Sequence, residues 1–188
     1  MEFVEVELKF PLLNPTALMK RLDKVARKEK SSSLQKDAYY VPLHRNFIAA
    51  EPVSEWFRIR TDANGKSHVN YKDYNKKQNG EKTVFCDEFE TEISDAVPFE
   101  KILERLDFKK ICVVEKFRST WLFKDVEIAL DDVKDLGWFI ELESKGDFES
   151  IEDAKKRLYA IANEIGAELG EQDFKGYPKL LIEKQKMK

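Results

Sequence analysis

Apolar and charged residues alternate without a break from Val4 to Phe10. Val4, Val6, Leu8 and Phe10 fall on one side, and Glu5, Glu7 and Lys9 on the other. A side-chain period of two predicts a strand with unlike faces. The same alternation returns six times. Trp56 to Arg60 sets Arg58 and Arg60 together, and Lys72 stands opposite Val69 and Tyr71. Glu88, Glu90 and Glu92 fall in register, as do Lys116 and Arg118. Glu127 and Asp131 oppose Val126, Ile128 and Leu130, and Glu141 and Glu143 repeat the two acids of the first strand. For any one strand, a solvated edge explains the pattern as well as a site does. The set is sorted by sign, however, with acids on the first, fifth, seventh and eighth strand candidates and bases between them. Such sorting suits a site that holds metal cations beside a polyanion.

Between the strands the period lengthens. Asn14-Pro15 is a helix start, followed by Leu18, Leu22 and Val25 at helical spacing, and the basic cluster Arg27 to Lys30 suits a helix C-terminus. Ser31 to Ser33 reads as a loop and Lys36 to Val41 as a second strand. Asn64-Gly65 marks a hairpin turn. Tyr74 to Lys82 reads as a polar loop, and Thr83 to Ile93 as a strand. A helix opens at Pro98, strands cover Lys110 to Leu122 and Val126 to Leu130, and Asp135 to Gly137 turns into a strand from Trp138 to Ser144. A third helix spans Ile151 to Ile165, and Pro178 starts a short terminal one whose basic end, Lys184 to Lys188, is expected to fray. Strands joined mainly by turns favour an antiparallel α+β fold. With helices on the apolar faces, the charged faces meet water or line the lumen of a closed sheet. Closure removes exposed edges and concentrates the field of the charges. Closure would also explain the sorting by sign, which an open face does not require.

Bulk properties narrow the function. The chain has 188 residues, the span of one domain, 1–188. Lys and Arg total 33 against 36 Asp and Glu, so the basic excess of a nucleic-acid binder is missing. The start shows no secretory pattern and no apolar run is long enough for a membrane span. Cys86 and Cys112 make neither a zinc pattern nor a clear disulfide. A cytoplasmic protein with no membrane and no nucleic-acid partner is expected.

The ordered set of motifs resembles the CYTH family, the triphosphate tunnel metalloenzymes. Glu5-x-Glu7-x-Lys9 matches the family's opening signature. Gln35 to Tyr40, Pro42, Arg45 to Phe47 and Phe57 to Arg60 look like the second and third strands of its class IV adenylyl cyclase branch. Lys72, Lys116-x-Arg118, Leu130 to Val133, Leu136 to Glu143 and Tyr177 to Leu181 continue in the family's order. The resemblance implies an α+β fold, a closed antiparallel β-barrel (tunnel) of about eight strands with helices packed outside, binding a triphosphate and a divalent metal, Mg2+ or Mn2+, in its lumen. Carried over residue by residue, Lys9, Arg58, Arg60, Lys72, Lys116 and Arg118 would grip the triphosphate, and all of these but Lys72 would be catalytic. Glu5, Glu7, Glu141 and Glu143 would hold metal, with Glu90 and Asp131 as further candidates. The resemblance also suggests a homodimer.

The chemistry accords with these residue types. Arginine offers a planar fork to phosphate oxygens and lysine a point charge. Mg2+ takes carboxylate and phosphate oxygens and keeps several waters. The expected partner is a small-molecule triphosphate: ATP, tripolyphosphate or thiamine triphosphate. The reaction would be cyclisation of ATP to cyclic AMP and pyrophosphate, or triphosphate hydrolysis. The alternative is a module that binds nucleotide or polyphosphate without turnover. No residue stands out as a dedicated general base, and Asp37 is expected to fix a neighbouring basic residue.

Overall fold

The computed structural model describes residues 6–51, 53–74 and 87–186. Along them run β1 (Glu7–Pro11), α1 (Pro15–Val25), β2 (Arg27–Pro42), β3 (Glu55–Asp62), β4 (Ser67–Asp73) and β5 (Asp87–Ile93). Then come α2 (Ala96–Arg105), β6 (Phe108–Phe123), β7 (Val126–Val133), β8 (Gly137–Ser144), α3 (Ile151–Glu164) and α4 (Tyr177–Lys186). The strands make one antiparallel sheet in the order β1-β8-β7-β6-β2-β3-β4-β5. The class is α+β, as the alternation predicts.

Several boundaries differ from the sequence reading. Helix α1 stops at Val25, and Arg27 to Lys30 opens the 16-residue strand β2 instead of closing the helix. Ala26 turns extended (φ −123°, ψ 156°) while its N–H still closes on the Leu22 carbonyl. Lys28 then reaches Asp23 at 3.1 Å and lies 5.0 Å over the Trp121 ring, so tertiary partners rather than a helix dipole hold it. Ser31 to Ser33 lie within β2, a strand that neighbours β6 in the sheet. Helix α2 begins at Ala96, ahead of Pro98, because Asp95 caps it by accepting the Val97 N–H at 2.9 Å. Helix α4 remains helical to Lys186. The strand expected from Thr83 is described only from Asp87, and most of the Tyr74 to Lys82 loop falls outside the described residues.

The contacts group into two compact units. The first comprises the described residues of 34–115 with 175–186, and the second those of 6–33 with 116–174. In the first unit, Tyr40, Ile59 and Leu103 are buried, with Ala38, Phe57, Val69, Ile93, Phe99 and Phe108 packed around them. In the second, Leu8 and Phe10 of β1, Ile128 and Leu130 of β7, and Ile140 and Leu142 of β8 are buried. So are Leu18 and Leu22 of α1 and Ala154, Leu158 and Ile161 of α3. Each buried leucine, isoleucine or phenylalanine among them contributes about 1.5–3 kcal/mol by leaving water. Strand alternation sends the charged residues to the opposite face, where Lys116 is 2% exposed and Asp131 0%. A solvated outer wall does not enclose its lysines and aspartates in this way.

Candidate active site

In the second unit, strand register places the charges. Glu7 stands directly opposite Glu143, and Glu143 opposite Glu127, so one row across β1, β8 and β7 carries three carboxylates. The next row holds Lys9, Glu141 and Ala129. Lys9 Nζ is 2.9 Å from Glu141 Oε1. Small Ala129 leaves Glu141 space beside it, and Arg118 donates from Nη2 to Glu141 Oε2. Arg118 also donates from Nε to Asp131 Oδ1 at 2.6 Å and from Nη2 to Oδ2 at 2.5 Å, while Lys116 donates to Oδ2 at 2.8 Å. Lys9, Glu141, Arg118, Asp131 and Lys116 thus form one continuous network.

The network sets its own charge states. Burial opposes the charge on Lys9, but Glu141, Glu7 and Asp173 outweigh it and hold its pKa above the usual value. Burial also opposes ionisation of Glu141 and Asp131. Arg118 with Lys9 and Lys116 keeps Glu141 well below the ordinary range, and Arg118 with Lys116 keeps Asp131 low. Glu143 behaves in the opposite way. Its pKa is raised by burial and then by Glu127 and Glu7, although Lys145 pulls the other way. Neighbouring ion-paired carboxylates stay charged, while Glu143 sits in a row of like charges.

In the first unit, Asp37 is paired with Arg60 and Tyr39 with Arg58 across β2 and β3. Arg60 donates from Nε to Asp37 Oδ1 and from Nη2 to Oδ2, both at 2.7 Å. Arg58 is held more loosely. Its Nη1 lies 3.4 Å from both Asp37 Oδ2 and the Tyr39 hydroxyl, and its buried Nε has no hydrogen-bond partner among the described residues. Burial opposes the Arg58 charge, but Asp37 and Tyr39 keep it fully cationic. On β4, Lys72 lies 3.2 Å from Glu88 of β5. Asn70 donates to Glu88 and, at 3.2 Å, to Glu90.

The sequence-nominated residues therefore fall as follows. Glu7, Lys9, Lys116, Arg118, Asp131, Glu141 and Glu143 lie on the charged face of the second unit, and Arg58, Arg60 and Lys72 on that of the first. Glu90 sits on β5 with its side chain 47% exposed. Glu5 lies outside the described residues. Two acids that the sequence reading does not nominate belong with these. Glu127 completes the carboxylate row, a position its alternation with Ile128 already hints at. Asp173 influences Lys9 and donates its backbone N–H to the Lys9 carbonyl at 2.9 Å; it lies in a stretch with no periodicity to mark it.

Among the described residues, no three acid, imidazole or thiol groups converge closely enough to hold a metal ion as placed. The acids are drawn onto cations, Glu141 onto Lys9 and Arg118, and Glu143 onto Lys145. The donor set nonetheless fits a hard divalent ion. Glu7, Glu127 and Glu143 supply carboxylate oxygens from adjacent strands, and their mutual repulsion is what such a cation relieves. No helix among the described residues is long and apolar enough to cross a membrane.

Comparison with known proteins points the same way. The CYTH domain model matches residues 4–177. A Methanocaldococcus jannaschii protein named "putative adenylate cyclase" is 32% identical over 140 residues, covering 74% of this chain and 76% of its own length. The solved structure of a Pyrococcus horikoshii protein superposes with a TM-score of 0.79 at 31% identity, covering 96% of this chain and 99% of that one. The fold is shared with a Vibrio parahaemolyticus protein also described as a "putative adenylate cyclase". Its TM-score is 0.78 at 19% identity, over 96% of this chain and 99% of that one.

Proposed function

This chain belongs to the CYTH domain family, and from that premise we propose that it is a divalent-metal-dependent enzyme acting on a small-molecule triphosphate. The observation that carries the proposal is Arg58. A half-buried guanidinium whose buried Nε has no partner among the described residues, and whose two contacts are long, is costly to keep. An anionic oxygen would satisfy it. Within the same unit, Arg60 and Lys72 supply further cations for a ligand with several negative oxygens, and the second unit carries its own bases, Lys9, Lys116 and Arg118.

In this reading Arg58 and Arg60 grip phosphate oxygens, with Lys72 as a third cation of the same unit. Lys9, Lys116 and Arg118 neutralise charge as the transferred group moves. Glu5, Glu7, Glu141 and Glu143, with Glu127 beside Glu143, would hold Mg2+ or Mn2+. Glu90 stands further out as an additional candidate. When bound, the metal would supply Lewis-acid stabilisation of phosphate oxygens. The protein provides positioning and charge stabilisation, the main demands of phosphoryl chemistry. Two reactions use this machinery. In cyclisation, the 3′-oxygen of ATP bonds to the α-phosphorus, loses its proton, and displaces pyrophosphate. In hydrolysis, a water oxygen bonds to the terminal phosphorus and loses its proton, the bond from that phosphorus to the bridging oxygen breaks, and the diphosphate portion leaves as inorganic phosphate forms. The name of the 32%-identical relative favours the cyclase arm. Self-association as a dimer in the cytoplasm is part of the same proposal.

A product assay tests this. Purified protein with Mg2+ or Mn2+ is incubated with ATP, tripolyphosphate and thiamine triphosphate. Cyclic AMP with pyrophosphate from ATP selects the cyclase, and inorganic phosphate without cyclic AMP selects the hydrolase. Binding of all three without product would leave a non-catalytic module and overturn the enzyme reading.

A further inference from the structure

Asp37 has no role in gripping phosphate, yet both its oxygens are committed to residues that do. It is 1% exposed. Arg60 approaches it side-on, Nε to Oδ1 and Nη2 to Oδ2, and Arg58 reaches Oδ2. Asp37 and Arg60 are direct cross-strand partners, so the fork spans the shortest distance the sheet offers.

The same construction occurs in the second unit. Asp131 is the direct cross-strand partner of Arg118. Again Nε meets Oδ1 and Nη2 meets Oδ2, and again the base two residues earlier, Lys116, shares Oδ2. Asp131 is 0% exposed. Two basic-x-Arg strands thus each face one fully buried aspartate, bonded through the same atoms in the same sense.

A carboxylate enclosed in this way cannot itself approach a phosphate. It removes the rotamer freedom of a long cation before the ligand arrives, and a bidentate fork fixes the guanidinium plane as well as its place. We propose that Asp37 and Asp131 are a matched pair of positioning residues. Each locks the arginine of its basic-x-Arg pair so that the two bases present preset donors to a triphosphate. This deepens the triphosphate reading and rests on it. It also gives Asp131 a role other than the metal ligation the family resemblance suggests.

The competing role for Asp37 is simple charge balance, and the two roles differ in sign. Removing a negative charge beside two arginines strengthens polyanion binding if charge is all that matters. It weakens binding if orientation is what the aspartate provides. The experiment is calorimetric titration of Mg2+-tripolyphosphate into wild type, Asp37→Asn, Arg60→Lys and the double variant, with thermal unfolding recorded for each. Positioning gives at least a tenfold weaker Kd for Asp37→Asn and for Arg60→Lys. The double variant is then scarcely weaker than either single one, because both break the same fork. Equal or tighter binding by a folded Asp37→Asn overturns the proposal. If Asp37→Asn does not fold, Arg60→Lys decides, since it keeps the charge and loses the fork; undiminished binding there also overturns it. Wild type that takes up no tripolyphosphate removes the triphosphate reading itself, and the positioning role falls with it. That outcome is distinct from wild type binding while the variants bind equally well.

Discussion

At the scale of single residues, Glu143 is where function and stability conflict. It faces Glu7 and Glu127 directly across the sheet, and burial followed by those two charges raises its pKa. A carboxyl whose folded pKa exceeds its unfolded one stabilises the fold while protonated. That contribution is present below the unfolded pKa and is lost as pH rises through the folded value. Wild type therefore carries a penalty at neutral pH. Glu143→Gln is expected to unfold at a higher temperature than wild type near pH 7.5, with the difference shrinking toward acid pH. Mg2+ or Mn2+ should stabilise wild type more than the variant. Melting curves at two pH values, with and without metal, check this, and a difference independent of pH would refute it. Glu141 and Asp131 act in the opposite sense. Their lowered pKa values give stability above the unfolded pKa that is lost as pH falls through the folded one.

At the scale of elements, caps and core faces carry stability without touching the charged face. Asp95 accepts the Val97 N–H at the start of α2, whose buried Leu103 packs among Tyr40 and Ile59. Asp95→Ala should cost about 1 kcal/mol, lowering the melting temperature by about 2–4 °C. Tripolyphosphate affinity should stay as in wild type; an affinity that falls with the cap would mean that α2 belongs to the site. The strands themselves were legible in the sequence because each has unlike faces, so a period of two stands out. The end of α1 was not. Arg27 to Lys30 suits a helix C-terminus and a strand equally, and the choice rests on Asp23 and Trp121, of which Trp121 is nearly a hundred residues away. The candidate site was legible to the same depth. Alternation shows that Asp37 and Asp131 sit on the charged faces. Which base each one grips depends on cross-strand register, which no single strand encodes. Asp173 follows no period and reaches Lys9 only through the fold.

At the scale of the whole molecule, the sheet order turns scattered charges into fields. The acid-bearing strands β1, β8 and β7 are neighbours, the base-bearing β6, β3 and β4 come later in the order, and acid-bearing β5 ends it beside β4. A formal net charge of −3 hides this sorting by strand, because the two signs nearly cancel in the sum. Enclosed charges hold each other in ion pairs, and losing one partner of a buried pair costs about 3–5 kcal/mol. A triphosphate with its metal offers both signs new partners at once, which is why metal and anion should bind cooperatively. The charged-face bases, Arg58 foremost, are there to hold a triphosphate. The most direct test of this is calorimetric titration of tripolyphosphate with Mg2+ into wild type and Arg58→Ala, both shown to be folded by thermal unfolding. We expect wild type to bind and Arg58→Ala to bind about a hundredfold more weakly, roughly 2.7 kcal/mol. Equal binding by the two proteins, or none by wild type, would contradict it.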